Sequence, residues 1–400
     1  MILEFTIAIL IGIFLGTLTG LIPGIHTNLI SIFIISTSTY FLKIISPEIL
    51  VVTIVSLAIT NTFIDFIPSI FLGAPDEDTA LSTAPGHEFL LKGRGHEAVL
   101  LTLIGSSIAI ILLLLIFPLF AFTIDKIYPI ISKLIFFILI LASLFLISLE
   151  KSRTIPTIIF IFAGFLGIAS LNLNLEQPLL PLLTGLFGSS TLIYSISQKT
   201  NIPKQKTDFS FPNKNILLKP IIATTIVSPI CSFLPGLGSS QAAIISSSIF
   251  KKNQLSREQF LILLGSINTL VLSVSFLSLY YTSKIRSGAA SAINQIIILN
   301  SSSLKLIILA IFLTSAISIP LTIKFSKIFA KNIHRINYTK LSKRILIFLS
   351  MIILIFSGIL GFLVFLISTI LGLFCIYTGC RRGFLMGALL IPTILFYLPL

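Results

Sequence analysis

Apolar runs that approach or exceed the roughly 20 residues a helix needs to cross a bilayer recur along all 400 residues. Hydrophobic residues make up 56% of the chain and charged residues 10%, with a mean hydropathy of +1.10, so no water-soluble fold could hide its apolar surface. The alternation of an outer-membrane barrel is missing. The sequence therefore predicts an all-α polytopic membrane protein. Spans are expected near 3–22, 25–42, 49–72, 98–122, 134–149, 154–171 and 178–196, then 217–234, 239–250, 260–281, 304–323, 345–361, 362–378 and 383–399.

Two of these runs are interrupted. Leu21-Ile22-Pro23-Gly24-Ile25-His26-Thr27-Asn28 has a later echo in Phe233-Leu234-Pro235-Gly236-Leu237-Gly238-Ser239-Ser240-Gln241. Proline removes a backbone donor and glycine relaxes the chain, which hydrocarbon tolerates only where protein, water or a ligand satisfies the freed groups. Paired breaks in corresponding halves point to a transporter binding site. Pro23, Gly24, His26, Thr27, Asn28, Pro235, Gly236, Gly238, Ser239, Ser240 and Gln241 are therefore candidate substrate-binding residues. The small polar residues would open the second part of each broken helix, where N–H groups and the positive dipole end favour an anion.

The polar stretch 197–216 reads as a basic linker between a first membrane repeat, 1–196, and a second, inverted one, 217–400. If each broken pair returns to its starting side, the connections at 73–97, 150–153, 197–219, 251–258, 324–344 and 381–382 share one face and carry 21 of the 27 Lys and Arg. That bias marks the face, with the linker, as cytoplasmic in a multi-pass protein of the cell membrane. It also accounts for the net charge of +14 without nucleic acid. Cys231, Cys375 and Cys380 form no disulfide framework, and no metal-ligand spacing occurs.

Asp65 lies inside an apolar span, one helical turn after Asn61. A carboxylate there costs ~2.5–3.5 kcal/mol on insertion scales and marks a functional position. Asn61-Thr62 is echoed by Asn268-Thr269, while Leu272 stands where Asp65 would be. Asn61, Thr62, Asp65, Asp76, Asp78, Asn268 and Thr269 are the candidate ion-coupling residues, for Na⁺ or H⁺ and no other cofactor. The plainer reading of Pro75-Asp76-Glu77-Asp78 is a helix start, with Gly86 and Gly93 closing short helices.

At Gly20-Leu21-Ile22-Pro23-Gly24, at Phe71-Leu72-Gly73-Ala74-Pro75 through Pro85-Gly86-His87-Glu88 and Lys92-Gly93-Arg94-Gly95, and at Leu234-Pro235-Gly236-Leu237-Gly238, the chain resembles the large membrane subunit of the tripartite tricarboxylate transporters, the TctA family, in its shorter archaeal members. The resemblance implies an elevator-like carrier of inverted repeats that takes up a small organic anion, such as a carboxylate, on an ion gradient, and no enzyme. Membrane lipid and the anion are the expected partners, with a homo-oligomer and a soluble binding protein left open. A passive channel and a membrane scaffold are the alternatives.

Overall fold

The computed structural model describes residues 2–22, 34, 45–75, 78–148, 153–175, 177–197, 202–209, 211–233, 238–250, 255–283, 285, 287–334, 338–380 and 382–398. Among them the regular structure is helical. α1 spans Ile2–Leu21, α2 Pro47–Ile64, α3 Phe66–Phe71, α4 Thr83–Leu91, α5 Gly95–Ser148, α6 Thr154–Asn172, α7 Leu179–Leu183 and α8 Ser190–Ser197. α9 spans Lys214–Phe233, α10 Ser239–Ser248, α11 Arg257–Thr282, α12 Gly288–Ile296, α13 Ser301–Ile333, α14 Tyr338–Tyr377 and α15 Gly387–Phe396. Eight helices among the described residues are long and apolar enough to cross a membrane.

Two helices form the centre. α2 is buried continuously from Leu50 to Ile64, and α11 is buried along almost all of its length. Their starts are written in the sequence. Pro47 occupies the first turn of α2 with Glu48 beside it, and Ser256 and Gln259 close a capping box on α11. Other helices reach them through small residues, as membrane packing requires. On α1, a Cβ at Gly12 would meet Ser56, at Gly16 Leu57, and at Gly20 Ile64, so α1 and α2 run in the same direction. α9 runs along α11 in the same sense, with Thr224 bonded to Ser266 at 2.6 Å and Ser232 donating to the Val271 carbonyl at 3.1 Å.

Each central helix takes a third companion from far away in the chain. α5 lies parallel to α11, with Arg94 beside Glu258 and a Cβ at Gly105 or Gly265 colliding with the carbonyl of Ile262 or Thr102. α13 lies parallel to α2. Thr314 donates to Ser56 at 2.9 Å, Ser318 to Thr60 at 3.1 Å and Thr322 to the Phe63 carbonyl at 3.4 Å. Thus α1, α2 and α13 point one way, and α5, α9 and α11 point the other.

A second bundle of α6, α7, α8, α14 and α15 packs by the same rule, with Gly167 and Gly387 at the α6–α15 contact and Gly185 and Gly372 at the contacts with α14. Between α7 and α8 the chain runs as a π-helix, Thr184–Ser189. One end of the molecule gathers the basic connections: Arg257 pairs with Glu88, Lys206 N–H donates to the Gly93 carbonyl, and Phe71 packs on Phe329. Gln205, within the expected linker, is buried and bonded to Gly95 N–H and the Leu90 carbonyl, so this stretch is docked.

Several boundaries differ from the sequence reading. The spans expected at 98–122 and 134–149 are one helix, α5, since Pro118 and Pro129 do not end it. The division expected at 361/362 falls at Gly358, whose φ of 63° and ψ of −165° interrupt α14. Gly86 lies inside α4, where a Cβ would press on Ile70, and only Gly93 follows the helix end, at φ +74°. Pro75 starts no helix; the next turn is a 3-10 segment at Ala80–Ser82. The span expected at 25–42 lies outside the described residues apart from residue 34.

Gly105→Leu should disrupt the α5–α11 contact and lower the melting temperature in detergent by several degrees, since overpacking costs typically ~1–3 kcal/mol. Gly383→Ala, with nothing within 4 Å of the added Cβ, should leave the melting temperature unchanged. His87, in α4 and outside the spans, has its pKa lowered from 6.5 to about 4 by burial and by the Arg382 charge. Its neutral form therefore stabilises the fold above pH 6.5, and that contribution of up to about 3 kcal/mol drains away as pH falls towards 4. His87→Gln should flatten the acid limb of the melting-temperature profile relative to wild type.

Candidate functional site

α2 and α11 cross antiparallel at their polar residues. Asn268 Nδ2 donates to Asp65 Oδ2 at 3.1 Å, and one residue along, Thr269 Oγ1 donates to Thr62 Oγ1 at 3.2 Å. Thr62 in turn donates to the Ile59 carbonyl. Asp65 is only 3% exposed, so its carboxylate depends on protein groups in place of water. The local sequence prepares the position: Pro68 has no N–H, so the Ile64 carbonyl loses its helical donor, and the helix is interrupted at Asp65 between α2 and α3.

The flanking elements add oxygen atoms. Thr19, near the end of α1, donates to Asn61 Oδ1 at 2.9 Å, and Gly20 approaches Asp65 closely enough for a Cβ to lie 3.3 Å from its backbone nitrogen. Ser239, the first residue of α10, donates from Oγ to Asn268 Oδ1 at 3.2 Å. α1 and α10 therefore reach the crossing at the ends nearest the two Pro-Gly motifs. The donors are one carboxylate, two side-chain amides and several hydroxyls, a set suited to a small monovalent cation or a proton. No group of three His, Cys, Asp or Glu capable of holding a metal occurs among the described residues.

Asp78 takes a different place from its neighbours in the candidate ion site. Its Oδ1 accepts the Ser239 N–H at 3.0 Å, and its backbone carbonyl receives the Ser240 hydroxyl at 3.5 Å. Gly238 precedes α10 without a side chain that could cap it, so Asp78 supplies the negative group that the helix start favours. The N-terminus expected to meet an external anion is engaged by a carboxylate of the chain itself.

The structure thus brings together Asn61, Thr62, Asp65, Asp78, Ser239, Ser240, Asn268 and Thr269, with Gly238 at the start of α10. Pro23, Gly24, His26, Thr27, Asn28, Asp76, Pro235, Gly236 and the side chain of Gln241 lie outside the described residues. Sequence reasoning missed Thr19, although it stands four residues before Pro23. It also missed the hydroxyls of α13, whose four-residue spacing at Thr314, Ser318 and Thr322 was readable.

In a double-mutant cycle, Asp65→Ala and Asn268→Ala should each destabilise by ~1–3 kcal/mol through the partner left unsatisfied, and together by less than their sum. Thermal unfolding of the purified protein measures the coupling; strict additivity would show that the two side chains do not interact.

The profile of the Tripartite tricarboxylate transporter TctA family matches residues 6–387. A protein of Methanocaldococcus jannaschii described as uncharacterized is 32% identical over 402 residues, covering 98% of each chain. No solved structure matches. With eight apolar helices among the described residues and a match that spans both sides of the Asp65–Asn268 crossing, the chain belongs to the tripartite tricarboxylate transporter TctA family.

Proposed function

We propose that the protein is a secondary active permease for a small organic anion, coupled to Na⁺ or H⁺ through Asp65. The observation that carries this reading is the Asp65–Asn268 and Thr62–Thr269 crossing, a nearly sealed polar cluster at the level where α1, α9 and α10 terminate. An ionisable residue inside a membrane bundle is expensive and serves ion or proton handling in carriers. In carriers with broken helices, backbone carbonyls and helix ends meet the coupling ion beside the substrate site.

Two inverted repeats, 1–196 and 217–400 joined by 197–216, are part of the proposal. Support comes from helix direction: α1 and α2 run opposite to α9 and α11, and α5 and α13 each pack on the central helix of the other repeat. Thr62 and Thr269, which would be equivalent, touch each other, as residues on a two-fold axis do. On this reading the end that gathers the basic connections faces the cytoplasm, and an elevator-like displacement carries the anion. Family membership makes a soluble binding protein and a small membrane subunit reasonable partners to seek.

Reconstituted into proteoliposomes, the protein should take up members of a carboxylate panel when a Na⁺ or H⁺ gradient is imposed. Asp65→Asn keeps an acceptor for Asn268 and should reduce gradient-driven uptake at least tenfold without loss of folding. Wild-type uptake by this variant would reject the coupling role. Flux that persists after both gradients are collapsed would identify a channel instead.

A further inference from the structure

Arg382 is a cation that pairs with no carboxylate among the described residues. It opens the 3-10 segment Arg382–Met386 after α14, and its side chain reaches back to the π-helix before α8. Nη1 donates to the Phe187 carbonyl at 3.3 Å and to the Thr191 hydroxyl. Among the described residues, Nε and Nη2 make no bond. The ion pairs at this end of the molecule join Lys92, Arg94 and Arg257 to Glu88, Glu97 and Glu258, and none includes Arg382. The sequence offers no acid after Glu258.

The Arg382 side chain is half-buried, so its unbonded edge is accessible to a partner. Burial lowers the Arg382 pKa only to about 10, so it remains charged at neutral pH. A half-buried guanidinium that keeps its proton favours an anionic partner at its free edge. Nearby His87 is held neutral in part by the same charge and contributes no compensation. The two bonds from Nη1 fix the guanidinium, and the Nε–Nη2 edge that remains is the edge that grips carboxylate or phosphate in two parallel bonds. The anchor is itself unusual. π-helical turns inside α-helices recur at functional sites, and this one is approached by the Gly73-Ala74-Pro75 turn, since a Cβ at Gly188 would lie 3.2 Å from Pro75.

We propose that Arg382, positioned by the Phe187 carbonyl and the Thr191 hydroxyl, forms an anion-binding site for a carboxylate or phosphate group, apart from the Asp65–Asn268 crossing. The group could belong to a soluble organic anion or to the headgroup of an acidic lipid; the chemistry of recognition is the same. The site requires no transport activity.

The test uses full-length, delipidated protein and thermal unfolding in two arms: titration with citrate or inorganic phosphate, and titration with phosphatidylglycerol against phosphatidylcholine. Wild type should be stabilised in at least one arm, and the arm that responds identifies the source. Arg382→Gln should weaken the response at least tenfold in midpoint concentration. Arg382→Lys, a point charge without the fork, should retain part of it. Thr191→Val keeps the charge but loosens its anchoring, and covers the case in which Arg382→Gln does not fold. An unresponsive wild type, or a response unchanged in Arg382→Gln or, failing that variant, in both Arg382→Lys and Thr191→Val, would overturn the site. Asp65→Asn should keep the part of the response that Arg382→Gln removes, so loss of ion coupling and loss of this site are separately readable.

Discussion

The crossing of α2 with α11 sets the terms for everything packed around it. Polar side chains in hydrocarbon must find partners inside the protein. Asp65, Thr62, Asn268 and Thr269 find such partners in each other and in the helices beside them. Because the bonds join single residues, they fix the register of the two helices more tightly than apolar packing would. α1 and α9 can then approach only where glycine and serine allow close backbone contact.

Charge is distributed with the same economy. Among the described residues the crossing holds one carboxylate, and most basic residues are gathered at one end, where Glu88, Glu97 and Glu258 answer Lys92, Arg94 and Arg257. Two exceptions carry chemical interest. Asp78 occupies the start of α10, so an incoming anion directed to that helix end would meet a competing carboxylate. Arg382 sits against the π-helix with one edge of its guanidinium committed to no residue described. A negative group is supplied where an external anion was expected, and elsewhere a positive one meets no carboxylate among the described residues.

Much of this was legible before any coordinates. The membrane class followed from apolar run length, and most helix positions followed to within a few residues. Asp65, Asn61 and the Asn268-Thr269 echo stood out because polar residues inside apolar spans are rare. What failed had local causes. The gap expected between 122 and 134 is absent because α5 runs on through Pro129, as a membrane helix can where neighbours resatisfy the backbone. The acidic run at 76–78 resembled a helix start, yet Asp78 serves the start of another helix 161 residues away, a pairing no local rule can anticipate. Arg382 looked like one more positive-inside residue; only the folded chain shows that it points inward.

The exchange of companions between distant parts of the chain bears on how the protein is made. Ser56 and Thr60 meet Thr314 and Ser318, each 258 residues downstream. While the ribosome is still feeding the intervening chain into the bilayer, that face of α2 waits without its final neighbour, its hydroxyls left to bond back to their own helix. Assembly is therefore completed late, when α13 arrives, and a nascent product stopped at the docked stretch around Gln205 has inserted spans but an unfinished interior.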